Sequence, residues 1–256
     1  MDEFEGLVEE KNPDIIGLSE VWLKDQYMLK GYHPVLRHDR AADKKGGGVM
    51  LFVKDCFQIT ECSQLSQIGF EESVWCTIHL SHTAKLLVGV CYRSPKSCKQ
   101  NNEKLILLIK EAVQMKVKNV IIMGDFNFPH ICWDDGYVEG SADCEGAIFF
   151  ETIQNLYLQQ HVNFRTRYRA DQTPSTPGLI FPNRGHLVDE LEASQPLGKS
   201  DHVVITWNCV YEQHEDKKTN ESVVRYNFRK GNYVDMSKHL SRKDWSSLTQ
   251  LNVQEA

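Results

Sequence analysis

Hydrophobic and polar positions along the chain form short strand-like runs and a few helix-like repeats. The apolar runs predict strands in DIIGLSEVW, GGGVMLFVKD, SVWCTIHLS, KLLVGVCYRSP, NVIIMGDFN, GLIF and DHVVITWNC. Apolar residues at helical intervals predict helices in FEGLVEEKNPD, NNEKLILLIKEAVQMK and EGAIFFETIQNLYLQQ. Strands with only a few helices between them are typical of two mixed β-sheets packed face to face, with helices outside. The pattern therefore predicts a layered α+β fold.

The pattern changes near residue 211, and this change divides the chain. Residues 1–210 carry the strands and helices above, whereas residues 211–256 are polar, charged and poor in long apolar runs. We interpret 1–210 as one domain and 211–256 as a polar linker followed by a short helix around residues 231–245. The second segment is expected to contribute little to the core.

Composition narrows the class of protein. The 256 residues are 41% hydrophobic and 25% charged, as in an ordinary globular protein. No apolar run approaches the roughly 20 residues that span a bilayer, and the acidic first residues lack a signal-peptide layout. The eight cysteines are scattered and are expected to be reduced, mostly buried thiols. We therefore expect an intracellular protein, in the nucleus or cytoplasm, with no membrane partner.

Net charge limits how the protein could hold nucleic acid. At −6 the chain cannot depend on bulk electrostatic attraction, so contacts with phosphates must be local or metal-mediated. One local candidate is FRTRYRA, where Arg165, Arg167 and Arg169 alternate along one edge. A solvated edge with protective charge explains the same spacing equally well.

Four predicted strands share one feature, because each passes from buried apolar residues to polar ones at an end. The polar residues concerned are Glu20, Tyr92, Asp125, Asn127, Asp201 and His202. Turn formation, capping or simple solvation explains each of these positions taken alone. Together they are the side chains that a metal-assisted phosphoester hydrolase needs.

The chemistry assigns a role to each residue type. Glu20 could hold a hard cation, Mg²⁺ or Mn²⁺, which prefers oxygen ligands. Asp125 could orient or deprotonate the attacking water, with Asn127 fixing its position. His202 could stabilise negative charge on the phosphate, and the Tyr92 hydroxyl could donate to a phosphate oxygen. To this set we add Asp201 as a second metal ligand and Arg93, Arg165 and Arg167 as substrate-binding residues.

The motifs LSEVW, CYRSP, GDFN and SDH, in this order, resemble the endonuclease/exonuclease/phosphatase superfamily. More closely, they look like the endonuclease domain of non-LTR (LINE-type) retrotransposons. This resemblance implies a four-layer α/β sandwich and Mg²⁺-dependent cleavage of a DNA phosphodiester. It also identifies Asp125 and Asn127 as active-site residues rather than turn formers. Residues 211–256 resemble the connector toward a reverse transcriptase.

The sequence departs from the family pattern at two places. The family opens with a strand that carries a metal-holding Asn, and we expect this domain to lack that strand and so to expose apolar strand edges. In TPSTPGLIFPN, Pro177 and Gly178 stand where the family has Leu-Asp, so His202 would lose its orienting acid. Asp189, beyond the strand, is no obvious substitute.

These departures leave two alternatives to an active endonuclease. One is a catalytically impaired remnant of the domain that acts at most as a binding module. The other is a different phosphoesterase on the same scaffold, for example an inositol-phosphate or sphingomyelin hydrolase, because a fold does not determine a substrate.

Overall fold

A computed structural model describes residues 2–21, 27–40, 46–211 and 231–244. The chain divides into two compact units, Met1–His214 and Glu215–Ala256. The described part of the second unit holds one helix, Tyr233–Ser241, so the short helix expected in the tail is present. Its N-terminus is capped by Asn232, whose side chain accepts a hydrogen bond from the Asp235 N–H. The predicted domain boundary at residue 210 stays a prediction.

The first unit contains four α-helices and twelve strands within its described residues. The helices are α1 Asp2–Lys11, α2 Ser63–Ser66, α3 Lys99–Gln114 and α4 Glu145–Asn155, and the helix of the tail is α5. The strands are β1 Ile15–Ser19, β2 Leu36–His38, β3 Val49–Val53, β4 Gln58–Glu61, β5 Ser73–His79, β6 Lys85–Tyr92, β7 Asn119–Asp125, β8 Ile131–Cys132, β9 Tyr137–Val138, β10 Gly178–Pro182, β11 Val188–Ser194 and β12 Val204–Cys209. A 3₁₀ turn spans Gly185–Leu187.

One five-stranded sheet forms the centre of the unit. Its strands lie in the order β10-β7-β6-β5-β4, with β6 and β7 parallel and the other neighbours antiparallel. The near-continuous apolar runs of β6 and β7 are explained by this central position, since both faces of these strands are buried. The α3 helix supplies the crossover that parallel neighbours require.

The second sheet layer consists of two antiparallel pieces. One has the order β1-β3-β2 and the other pairs β11 with β12. An apolar cluster between the five-stranded sheet and these pieces includes Leu51 of β3, Val88 of β6 and Ile205 of β12. The α3 and α4 helices cover the opposite face of the five-stranded sheet, and α1 packs on β3 through Phe4 and Phe52. The predicted layered α+β fold is therefore confirmed.

β1 and β12 are edge strands of their pieces, and an apolar cleft lies between them. Among the described residues, β1 pairs only with β3 and β12 only with β11. The cleft has a volume of about 1210 Å³ and is lined by both strands, by α1 and by the inner face of the five-stranded sheet. The expected absence of a first family strand is not tested by these contacts and stays a prediction.

Two further features of the structure concern the burial of the cysteines and the length of the helices. All eight cysteines are free thiols, but only Cys62, Cys76 and Cys91 are buried, so the expectation that most are buried is wrong. Several of the others lie in exposed turns or at helix starts, such as Cys98 before α3. No helix within the described ranges is long and apolar enough to cross a membrane.

Candidate active site

The end of β7 places Asp125 at the centre of the site. In the sheet register Asp125 lies between Tyr92 at the end of β6 and Gly178 at the start of β10. The preceding residue, Gly124, has φ +143°, and a Cβ there would collide with the Cys91 carbonyl oxygen. Glycine is therefore required at position 124, because the main chains of β7 and β6 approach each other closely there.

Asn127 reaches the site through a turn. β7 ends at Asp125, and Asn127 has φ +47°, so Asn127 lies in the turn after the strand and not on the strand itself. Arg93 holds the turn by reciprocal bonds. The Arg93 Nη1 donates to the Asn127 carbonyl at 2.8 Å, and the Asn127 Nδ2 donates to the Arg93 carbonyl at 2.9 Å. Asn127 also lies close enough to Asp125 to lower the pKa of its carboxyl.

Two residues from the second sheet layer complete the central group. Glu20 directly follows β1 and has φ +57°, while His202 precedes β12. One ligand atom from each of Glu20, Asp125 and His202 lies within 4.8 Å of the others. The His202 Nε2 is 3.9 Å from the Asp125 Oδ2. The fold therefore brings together three residues that lie far apart in the sequence.

Burial sets the electrostatics of Asp125. Its carboxyl is 3% exposed, and burial raises its pKa to about 7, with a further increase from Glu20. Asn127 and the positive charge of Arg167 oppose this shift. The Asp125 Oδ1 is buried and has no hydrogen-bond partner among the described residues. A buried carboxylate oxygen without a partner is costly unless a ligand, cation or water satisfies it.

Asp201 is not part of the central group. Its Oδ2 accepts from the Arg167 Nε at 2.9 Å and lies 3.1 Å from the Arg169 Nε, and these contacts lower its pKa against the effect of burial. Its Oδ1 is 3.7 Å from the His202 Nε2. The geometry thus favours a role beside His202 over the metal ligation that the sequence suggested.

His202 is a predominantly neutral imidazole at physiological pH. Burial lowers its pKa, and the nearby Arg167 lowers it further, although Asp201 and Glu20 act in the opposite direction. His202 forms an isolated antiparallel β-bridge with Arg167, and the Val203 N–H donates to the Thr166 carbonyl at 3.0 Å. The imidazole is therefore held by backbone pairing as well as by Asp201.

Tyr92 is buried beside the group, and burial together with Glu20 and Asp125 raises its pKa, so its hydroxyl stays protonated. The Arg40 guanidinium lies 5.5 Å from the Tyr92 ring centroid and binds the buried Glu72 at 2.6 Å. Sequence reasoning missed Arg40 and Glu72. No local pattern marks either residue, because they are paired across the fold.

The arginines predicted to bind substrate have different environments. Arg93 is 5% exposed and donates to Asn102 Oδ1 at 2.8 Å, so it supports the Asn127 turn from inside the protein. Arg165 is exposed and donates to the Thr176 hydroxyl, whereas Arg167 binds Asp201. Arg169 also binds Asp201, so two of the three arginines on the predicted edge converge on one carboxylate.

Gly178 provides no orienting group for His202. Its N–H donates to the Thr166 Oγ1 at 2.9 Å, and a Cβ at this position would lie 3.2 Å from the same oxygen. Asp189, in β11, accepts a bond from the Glu190 N–H. Two other carboxylates, those of Asp201 and Asp125, lie 3.7 and 3.9 Å from the His202 Nε2.

The residues present fit a divalent cation. Two carboxylates and one imidazole converge, and the Asp125 Oδ1, which has no hydrogen-bond partner among the described residues, is available as a metal ligand. Mg²⁺ and Mn²⁺ accept such oxygen-rich sites. Glu20 is exposed, so the group is open to solvent on one side.

Residues 86–206 match a family model described as endonuclease-reverse transcriptase. A similar solved structure is the endonuclease domain of TRAS1, a telomere-specific non-LTR retrotransposon, at 18% identity over 83% of this chain and 93% of that chain, with a TM-score of 0.64. The 3′ phosphatase NExo from Neisseria, bound to a product DNA hairpin, is 14% identical over 82% and 94%, with a TM-score of 0.59. The Xenopus laevis APE2 catalytic domain is 15% identical over 82% and 89%, with a TM-score of 0.54.

A comparison with curated proteins gave no match. The solved structures share the fold at low identity, and the family match covers β6 to β12, the part of the chain that carries Tyr92, Asp125 and His202. Residues 86–206 thus match the endonuclease-reverse transcriptase family, and the chain shares the fold of these solved structures.

Proposed function

We propose that the protein is a divalent-cation-dependent phosphodiester hydrolase of endonuclease type that acts on DNA. The observation that carries this proposal is the convergence of Glu20, Asp125 and His202 within 4.8 Å, with one buried carboxylate oxygen left unpartnered. A structural ion-pair cluster would satisfy that oxygen internally. A site built to receive a ligand leaves it available.

Glu20 would hold the cation, Mg²⁺ or Mn²⁺, beside Asp125 and His202. When bound, the ion supplies positive charge that stabilises the developing negative charge on the phosphate oxygens. Asp201 contributes beside His202, since Arg167 and Arg169 occupy its Oδ2 and its Oδ1 lies 3.7 Å from the His202 Nε2.

Proton transfer falls to Asp125. Burial raises its pKa to about 7 in the absence of a cation, which makes its carboxylate a stronger base than an exposed one. Asn127 lies beside this carboxyl, and Arg93 fixes Asn127. Asp125 would accept the proton of the attacking water.

His202 and Tyr92 act on the phosphate as hydrogen-bond donors. The lowered pKa keeps the imidazole neutral, and the raised pKa keeps the Tyr92 hydroxyl protonated, so each presents one N–H or O–H. Donors that are already oriented stabilise transition-state charge without reorganisation.

DNA as substrate is supported by the chemistry of the site and by the relatives. Arg167 and Arg169 place two positive charges at the Asp201 side of the site, on an otherwise acidic protein. These guanidiniums could bind a DNA phosphate locally, at this side of the site. Among proteins of this fold, the NExo phosphatase was seen with a product DNA hairpin.

Nicking of supercoiled plasmid by the purified protein tests the proposal. We expect nicking with Mg²⁺ that stops with EDTA and falls at least about a thousandfold in Asp125→Ala, as when other groups that act directly in catalysis are removed. Asp143→Ala, an exposed carboxylate outside the site, is the matched control. Nicking that survives Asp125→Ala would reject the proposal. Faster cleavage of small phosphoesters than of DNA would favour another phosphoesterase on this scaffold.

Gly178 favours a second candidate function, a catalytically impaired domain that binds DNA. No carboxylate from β10 reaches His202, because position 178 has no side chain. This candidate predicts binding of a short DNA duplex at low salt without cleavage, measured by fluorescence anisotropy. Turnover comparable to that of an active nuclease would reject it.

A further inference from the structure

A buried carboxylate close to the candidate site has no part in the chemistry described above. Glu72, which directly precedes β5, is 2% exposed, and both of its carboxylate oxygens accept hydrogen bonds. Its Oε2 accepts from the Arg40 Nη2 at 2.6 Å and from the Arg40 Nε at 3.1 Å, and its Oε1 accepts from the Gly48 N–H. A buried charge requires such partners, and each of these two leads to a residue of the site.

Arg40 connects Glu72 to Tyr92. The Arg40 guanidinium lies over the Tyr92 ring, 5.5 Å from its centroid, and the Tyr92 N–H donates to the Glu72 carbonyl at 2.9 Å. Burial acts to lower the pKa of Arg40, but Glu72 outweighs burial and the pKa is raised, so the guanidinium stays charged. Tyr92 is therefore fixed to Glu72 through its main chain and, by way of Arg40, through its ring.

Gly48 connects Glu72 to the main chain beside Glu20. The Gly48 carbonyl, just before β3, accepts from the Val21 N–H at 3.2 Å. Val21 is the residue that directly follows Glu20. Glu72 thus holds Gly48 through its N–H, and Gly48 holds the chain at Glu20 through its carbonyl.

The run of three glycines at 46–48 forms a turn around the ion pair. All three have positive φ, and Gly47 has φ +88°. A Cβ at Gly47 would lie 2.1 Å from the Glu72 Oε1 and 2.5 Å from the Arg40 Nε. Only a glycine lets the main chain pass this close to the carboxylate and the guanidinium. The ion pair therefore accounts for a feature of the sequence that the catalytic residues leave unexplained.

A purely structural role does not account for the choice of a charged pair. Replacing a buried ion pair by apolar residues of similar volume often leaves a protein equally stable or more stable. Arg40 and Glu72 instead contact the neighbours of Tyr92, at the end of β6, and of Glu20, after β1, which belong to different sheets. Groups that hold site residues in place from behind are typical of metal and catalytic sites.

We propose that Glu72 is a positioning residue that holds Tyr92 and Glu20 in one arrangement, acting on Tyr92 through Arg40 and on Glu20 through the glycine turn 46–48. This role rests on the proposed function, in which Tyr92 donates to the phosphate and Glu20 holds the cation. Without the Glu72 carboxylate, Arg40 and the Gly48 N–H lose their common acceptor, and the two sides of the site are free to move independently.

Fluorine NMR of the full chain tests the connection to Tyr92 without requiring activity. The tyrosines are labelled as 3-fluorotyrosine, and the signal lost in Tyr92→Phe is assigned to Tyr92. We expect Glu72→Gln and Arg40→Met each to shift this signal at least about twice as far as any other tyrosine signal, because the positive charge over the ring is displaced or lost. Arg40→Lys keeps a positive charge and should shift it less. Glu103→Gln, at an exposed glutamate of α3, is the matched control.

Mn²⁺ binding and plasmid nicking test the connection to Glu20 and its effect on the reaction. We expect Glu72→Gln to weaken Mn²⁺ binding at least about tenfold, measured by titration calorimetry. At saturating Mn²⁺ the kcat of nicking should fall at least about tenfold, with KM changed by less than about threefold. Partial unfolding alone would lower the amount of active protein but would leave the Mn²⁺ affinity and the Tyr92 signal of the folded fraction unchanged.

The outcomes separate this role of Glu72 from the proposed function. If the wild type binds no Mn²⁺ and nicks no DNA, the proposed function fails, and the Tyr92 signal alone decides whether Glu72 is a positioning residue. An unmoved Tyr92 signal in Glu72→Gln and Arg40→Met would overturn the proposal. So would an unchanged Mn²⁺ affinity in Glu72→Gln when the wild type binds the ion. If Glu72→Gln does not fold, the Tyr92 signal of Arg40→Met decides.

Discussion

The two sheet layers of this domain differ in completeness. β6 and β7, in the five-stranded sheet, have strand partners on both sides and are almost entirely buried. β1 and β12, in the second layer, are edges and are only partly buried along their lengths. The difference in burial arises because α3, α4 and the second layer cover the two faces of the five-stranded sheet, whereas the cleft interrupts the second layer.

The candidate site lies between these layers and depends on both. The complete sheet supplies Tyr92 and Asp125, and the interrupted layer supplies Glu20 and His202. Active sites require ligand and donor atoms to be held within a fraction of an ångström. We therefore expect the interrupted layer to limit the precision of the site, and the changes below separate the contributions of the two layers.

The largest effect is expected from the carboxylate buried in the complete sheet. The folded pKa of Asp125, about 7, exceeds its ordinary value of 3.8, so folding favours the protonated form. This contribution is present below about pH 4 and is lost as pH rises to about 7. Asp125→Asn should match the wild type in acid and be more stable by roughly 4 kcal/mol above about pH 7. Urea unfolding in EDTA measures this, with Asp143→Asn as the control. Parallel pH curves for wild type and Asp125→Asn would contradict it.

Substitutions of Arg93 test whether this arginine, at the end of β6, stabilises the fold or binds substrate. Arg93→Met leaves Asn102 and the Asn127 carbonyl without their donor, and we expect a loss of about 3 kcal/mol in the free energy of unfolding. Arg93→Lys should recover less than half, because an ammonium cannot reproduce the guanidinium fork. The exposed Arg165→Met should change stability by at most about 0.5 kcal/mol. Unchanged stability with weaker DNA binding would restore the substrate role.

A matched pair of core changes compares the layers directly. Ile122→Ala lies in the complete sheet at 0% exposure, whereas Ile205→Ala lies in the partly buried β12. We expect the free energy of unfolding to fall by about 4 kcal/mol for Ile122→Ala and by about 2 kcal/mol for Ile205→Ala. The second loss is smaller because Ile205 is only partly buried, so its side chain contributes less burial free energy. Chemical denaturation measures both. Equal losses would show that the cleft wall is as tightly packed as the central core.

The smallest effect is expected where the two layers meet, at Gly178. Gly178→Asp places a carboxylate where the resemblance to retrotransposon endonucleases implies one, and Thr166 must yield slightly to admit it. We expect plasmid nicking to rise about tenfold, or about 1.4 kcal/mol in the activation barrier, through better orientation of His202. Gly178→Ala introduces the steric change without the charge and should give no gain. An equal effect of both variants would assign the gain to packing.

Local sequence patterns predicted the strong elements and missed the weak ones. β6, β7, α3 and α4 have clear apolar periods, and each is present in the structure. β11 was missed because VDELEAS is acidic and mostly exposed, so its pairing with β12 leaves little apolar signal in the sequence. β2 and β4 are too short for a period to be recognised.

Candidate site residues were predictable where chemistry coincides with a strand end. Glu20, Tyr92, Asp125 and His202 were found this way, and the structure brings them together. The role of Arg93 was not predictable, because an arginine after a strand looks the same whether it is buried or reaches solvent. Glu72 gave no signal at all, since its partner Arg40 lies 32 positions away.

The sequence by itself determined which strands are buried, which polar residues follow them, and the superfamily that these motifs resemble. Periodicity and residue type are local properties, so they can be read along the chain. Only the tertiary structure decided that Asp201 binds two arginines, that Asp125 is buried enough to raise its pKa to about 7, and that β1 and β12 face each other across an apolar cleft. Charge pairing, desolvation and the spacing of strand edges depend on distances between residues far apart in the chain, and folding alone sets those distances.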